Sequence, residues 1–152
     1  MILIIGMGNP LRQDDAAGLA LAARLATALA TLEQPCRVLI VQQLAPELAV
    51  DVAANDVSAV CFVDLAVDAL GIRLVALDEA SEAVAPRLTH EIGPRTLLAY
   101  AGILRNELPA AWLLTVGGSA FAHGEELSDA VQSALADDAA IRAVARRLMS
   151  AL

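Results

Sequence analysis

The chain has 152 residues, a net charge of −8 and 58% hydrophobic residues, many of them alanine. That length suits a single domain over 1–152 with a substantial core. The acidic balance excludes a surface built to follow a nucleic-acid backbone. The longest apolar stretch, 16–32, contains Arg24 and follows two aspartates, so it is too short and too charged at its edge for a bilayer span.

The opening MILIIGMGNPLRQDDAAG reads as buried strand, tight loop and helix start. The first strand covers 1–6. A helix is expected from about Asp14 to Leu32, with Leu21, Leu25, Leu29 and Leu32 on one face and both acids in its first turn. The β-rich RVLIVQ predicts a second strand over Arg37–Gln42. Pro46 then opens a helix, PELAVDVAAN, which Asn55-Asp56 ends.

Ser58–Val63 reads as a third strand terminating in Asp64. Gly71–Leu77 alternates more and fits an edge strand, for which an antiparallel orientation is open. Asp78–Arg87 reads as an acidic surface loop, and Thr89-His90-Glu91-Ile92-Gly93-Pro94 leads into a helix from Arg95 to Arg105. Ala111–Val116 is the fifth strand, ending in Gly117-Gly118. Ser128 caps a helix, and Asp137 or Asp138 starts the last one, which ends near Leu152. The alternation predicts an α/β three-layer sandwich, with a five-stranded, mostly parallel sheet covered by helices on both faces.

Cys36 and Cys61 lack metal-site spacing, and Cys61 reads as a small buried hydrophobe. The first residues enter a strand with no basic n-region or cleavage site, which points to the cytoplasm and to no membrane partner. GMGNPL has two of the three glycines of a dinucleotide fingerprint, and Gln42-Gln43 stand where a ribose-binding acid belongs. No nucleotide cofactor is expected.

Asp15, Asp64 and His90 fall at comparable places: the end of a loop after the first strand, the end of the third strand, and just ahead of a helix. In a parallel sheet the C-terminal ends of the first and third strands share one rim. Two carboxylates and an imidazole suit a divalent transition ion such as nickel or zinc, with an open position for substrate or water. Each also has a plain structural reading. Asp14 and Asp15 serve as helix N-terminal charges, Asp64 as a cap for the next turn, His90 as a hydrogen-bonded loop residue, and His123 as surface or as a supporting group behind a ligand. No serine sits in a GxSxG elbow, and the cysteines lack a partner base.

Taken in order, GMGNPLRQDDAAG, QQLAPELA, VCFVDLA, LTHEIGPRTLLAYAGIL and WLLTVGGSAFAHGEELSDAV resemble the hydrogenase maturation proteases over essentially the whole chain. The resemblance implies a twisted five-stranded sheet between helices. It implies an endopeptidase that trims a C-terminal extension from a nickel-loaded precursor of the nickel–iron hydrogenase large subunit. Nickel in that precursor is the recognition element, and Asp15, Asp64 and His90 are the residues that contact it and carry catalysis. Many relatives have Glu at the place of Asp15, so the shorter side chain either sits closer or leaves the role to Asp14. Some place the histidine directly after a proline, which aligns with Arg95; others use a Ser/Thr-His pair, which Thr89-His90 fits. The metal is expected to polarise the scissile carbonyl or acidify a water, with a carboxylate assisting. The rim loops Asp64–Gly71 and Ser119–Glu126 are the expected docking surface.

Two other classes compete. A nickel-protein assembly chaperone would hold the same partner without cutting it. Peptidyl-tRNA hydrolase shares a GxGNP-type opening but needs a histidine soon after it and a basic face. Here Asp14-Asp15 follow the loop, and no histidine precedes His90.

Overall fold

The computed structural model describes residues 1–67, 69–77 and 92–152. Five strands, β1 (Ile2–Met7), β2 (Cys36–Val41), β3 (Ala59–Val67), β4 (Ile72–Ala76) and β5 (Ala110–Gly118), form one sheet in the order β2-β1-β3-β5-β4. β1, β2, β3 and β5 run parallel, and β4 lies antiparallel along β5 at the edge. This is the mostly parallel α/β sheet that the alternation of apolar runs and helical patterns predicts.

Alternation along the strands sorts two cores. Ile2, Ile4, Cys61, Val63, Leu114 and Val116 face α1 (Ala17–Thr31), α4 (Asp129–Leu135) and α5 (Asp138–Met149). Leu3, Ile5, Val60, Phe62 and Leu113 face α2 (Leu48–Val52) and α3 (Pro94–Leu104). The central strand β3 is buried on both faces up to Val63, as its unbroken apolar run requires. β2 is half-buried instead, with Ile40 55% exposed, because it is the other edge. Cys61 is fully buried and free, and burial pushes its thiol pKa up. On the outer part of the α5 face, the Arg147 guanidinium lies 5.6 Å from the centre of the Trp112 ring.

Three boundaries differ from expectation, each for a local reason. The expected helix from Asp14 is split: Gln13–Ala16 is a 3-10 turn and α1 begins at Ala17. Gln13 has a φ of 45°, and the Asp14 side chain bonds elsewhere rather than to helix N–H groups. The helix expected from Pro46 begins at Leu48, because Leu48, Ala49 and Val50 bond three residues back, to Ala45, Pro46 and Glu47. Asp64 is not the last residue of β3. The strand continues to Val67, paired with β5 as far as Gly118 and carrying the buried Leu65. The expected loop Asp78–Arg87 lies outside the described residues, as do Thr89, His90 and Glu91.

Ser128 caps α4 by accepting from the Val131 N–H, and of the two aspartates offered for the last helix Asp137 is the cap, accepting from Ala140. Among the described residues no helix is long and apolar enough to cross a membrane.

Candidate functional site

The strand order reverses between β1 and β3: the chain leaves β1 for β2 on one side and then returns to β3 on the other. The crevice beyond the C-terminal ends of those two strands is where open α/β sheets bind ligands. Asp15 follows β1 and Asp64 lies in β3, so the two strands flanking this crevice each supply a carboxylate.

The loop after β1 is folded tightly enough to fix Asp15. Gly8 has a φ of +146°, and its N–H donates to the Val41 carbonyl at 3.1 Å. Arg12 N–H donates to the Asn9 carbonyl, and Asp15 N–H donates to that of Arg12. The Asn9 side-chain oxygen accepts from Leu11 N–H at 2.9 Å, and Asn9 N–H donates to Asp15 Oδ2 at 3.1 Å. Asp15 is half-buried, with its carboxylate held over the loop.

Asp64 stands at the same rim of the sheet, on β3. β1 pairs with β3 only as far as Gly6 and Val63, so Asp64 is the first β3 residue beyond that pairing. By alternation it shares the face of Val60 and Phe62, on which α3 packs. Its Oδ1 accepts the Leu65 N–H at 2.7 Å. Gly18, in the first turn of α1, ties the two halves together. A Cβ there would lie 2.4 Å from the Met7 carbonyl oxygen and 3.1 Å from the Asp64 Cα, so only glycine lets the helix start lie against both strands.

Asp14 is the buried polar residue of the described core, with no exposed surface. Its Oδ2 accepts from Ser119 N–H at 3.0 Å, Ala120 N–H at 2.9 Å and Ser128 Oγ–H at 2.8 Å; its Oδ1 accepts from Ser128 N–H at 2.7 Å. The carboxylate is thus spent on the scaffold, and Asp15 is the member of the pair that retains exposure. Burial pushes the Asp14 pKa up, but the donors of Ser128, Ala120 and Ser119 outweigh it and hold it below the ordinary value. A carboxyl with a folded-state pKa below its unfolded one stabilises the protein above its unfolded pKa, about 4. That contribution is lost as pH falls through the depressed value. Acid titration monitored by circular dichroism is expected to show stability falling below about pH 4 in the wild type. Asp14→Asn should be less stable at neutral pH and should lack that component of the acid dependence.

His90 lies outside the described residues, so the three expected ligands are seen only as the carboxylate pair. Among the described residues no group of three or more His, Cys, Asp or Glu side chains is placed to hold a metal ion. His123 is exposed on the loop after β5, next to Gly124, whose N–H and carbonyl bond Leu11 and Gln13. The role of Asp14 was not legible in the sequence, because its partners lie 105 to 114 residues away. A recess at the opposite end of β5, lined by Ala76, Leu77, Leu98 and Trp112, is apolar and carries no ionisable group among the described residues.

Neither a protein-family model nor a curated protein matches the chain. Solved structures do. The chain is similar to the NiFe hydrogenase maturation protease HycI from Thermococcus kodakarensis KOD1, at 22% identity over 97% of this chain and 92% of that one, with a TM-score of 0.68. It is similar to the hydrogenase maturating endopeptidase HybD from E. coli at 22% identity, over 98% of this chain and 92% of that one, with a TM-score of 0.66. A hydrogenase 2 maturation peptidase from a Thaumarchaeota archaeon matches at 25% identity, over 97% of both chains, with a TM-score of 0.59. The chain has the fold of the NiFe hydrogenase maturation proteases, the family that its ordered motifs resemble.

Proposed function

We propose that this chain is a hydrogenase maturation endopeptidase that removes the C-terminal extension of a nickel-loaded large-subunit precursor, with the bound nickel as the recognition element. The observation that carries the reading is the pair Asp15, in the turn after β1, and Asp64, in β3, at the switch point of a maturation-protease fold. In this reading Asp15, Asp64 and His90 hold the substrate's nickel, and with it the scissile peptide, over the crevice. The substrate's metal supplies Lewis acidity; water adds to the scissile carbonyl, the C–N bond breaks, and the proton goes to the leaving amine. Holding the peptide by its metal converts an encounter into a fixed geometry, which by itself lowers the barrier substantially. It also makes the cut conditional on nickel. The acidic surface of the chain suits a protein partner and a cation better than a nucleic acid.

The test is cleavage of purified precursor, with and without nickel, read by mass spectrometry of the released C-terminal peptide. The loaded precursor is expected to be cut at least ~100-fold faster, a difference of about 2.7 kcal/mol in activation free energy. Equal rates would remove nickel as the recognition element. A stable complex with no released peptide would make the chain an assembly chaperone.

A further inference from the structure

We propose that Asp14 is a positioning residue for Asp15, acting by fastening the segment 119–128 onto the turn that carries it. The proposal rests on the reading above only for what Asp15 does to substrate; the fastening itself rests on hydrogen bonds. An aspartate at the start of a helix ordinarily accepts from N–H groups of its own first turn. Asp14 instead takes donors from Ser119, Ala120 and Ser128, across the rim. The backbone repeats the connection on either side. Asp14 N–H donates to the Ala120 carbonyl, Gln13 N–H to that of Gly124, and Gly124 N–H to that of Leu11. Gln13 Oε1 accepts from Ala122 N–H at 3.0 Å. Gly118 completes the seat, since a Cβ there would lie 2.9 Å from Asp14 Oδ2 and 3.0 Å from Asp14 Cβ.

Among the described residues, the turn 8–16 is otherwise held by bonds within itself, by Gly8 N–H on the Val41 carbonyl and by Ala17 N–H on the Asp14 carbonyl, where it joins α1. Without the Asp14 carboxylate, the peptide that carries Asp15 keeps its backbone bonds to 119–128 but loses the four that the carboxylate accepts, although Asp15 itself is untouched. The segment 119–128 is correspondingly a fixed wall of the site, set by the same carboxylate.

The test compares full-length wild type, Asp14→Asn, Asp15→Asn, Ser128→Ala and Ser128→Thr. Amide exchange read by mass spectrometry is expected to rise together in 8–16 and 119–128, by ~10-fold or more in Asp14→Asn and by less in Ser128→Ala. β1 and α5 should keep wild-type protection. Ser128→Thr, which keeps the hydroxyl and the cap, should restore both segments, and Asp15→Asn should leave both protected. On precursor, Asp14→Asn should lower kcat with KM unchanged, and should add no further loss in an Asp15→Asn background. If 119–128 loosens while 8–16 keeps its protection, or the two losses multiply independently, the proposal is overturned. Should Asp14→Asn fail to fold, the Ser128 pair decides. Should the wild type cut no precursor, the proposed function fails, and the exchange pattern alone upholds or overturns the fastening.

Discussion

Asp64→Asn is expected to lower precursor cleavage on the order of 10²- to 10³-fold while leaving the protein folded. The substitution is nearly isosteric, and an amide oxygen can still accept the Leu65 N–H that Asp64 Oδ1 accepts at 2.7 Å. Asp64 is half-buried at the rim, so no large cavity follows. What changes is charge: a neutral amide is a much weaker ligand for a divalent ion than a carboxylate. Asp15→Asn should behave alike, since the amide oxygen can accept from Asn9 N–H in place of Oδ2. Both variants should melt within a few degrees of wild type, about the effect of 1 kcal/mol in a chain of this size. An Asp64→Asn protein that cut precursor at the wild-type rate would remove β3 from the site.

Gly8→Ala is the substitution expected to damage the fold most directly. A Cβ at Gly8 would lie 2.0 Å from the Asp15 carbonyl oxygen and 3.1 Å from its carbonyl carbon, and both are backbone atoms that no rotamer change can move aside. The φ of +146° adds strain that L side chains rarely bear. The loop must open, and a loss of at least about 3 kcal/mol is expected, or roughly 6–12 °C in thermal midpoint. Because the atom struck belongs to Asp15, cleavage should fall even at temperatures where the variant stays folded. Gly93→Ala is the matched comparison: among the described residues, nothing lies within 4 Å of the added Cβ and the backbone there is extended. It should be nearly neutral. Equal melting of the two variants would show that the Gly8 loop yields freely.

The sequence carried the fold because apolar periodicity and caps are local signals. Unbroken apolar runs marked β1 and β3 as buried strands, the alternating Gly71–Leu77 suited an edge strand with its direction left open, and Ser128 and an Asp137-Asp138 pair announced two helix starts. The candidate site was legible only in part, because its determinants are long-range. Asp14 and Asp15 are neighbours of the same chemistry. What separates them is Ser119, Ala120 and Ser128, more than a hundred residues away, and no spacing rule connects those positions. The same holds for the end of β3. Asp64 looked terminal because it interrupts an apolar run, whereas pairing with β5 carries the strand three residues further.

The place of the chain's single tryptophan has a practical consequence. Trp112 is paired with Cys61 in the lower half of β5, is 9% exposed and lies under the Arg147 guanidinium. Thr115, the β5 partner of Asp64, is three residues further on, about 10 Å along the strand. Intrinsic fluorescence therefore reports the packing of α5 on the sheet at a distance from the rim. Emission from Trp112 should follow unfolding while remaining nearly blind to changes confined to the Asp15 turn. Folding and site integrity can thus be read separately in one cuvette, with a probe that evolution has already installed.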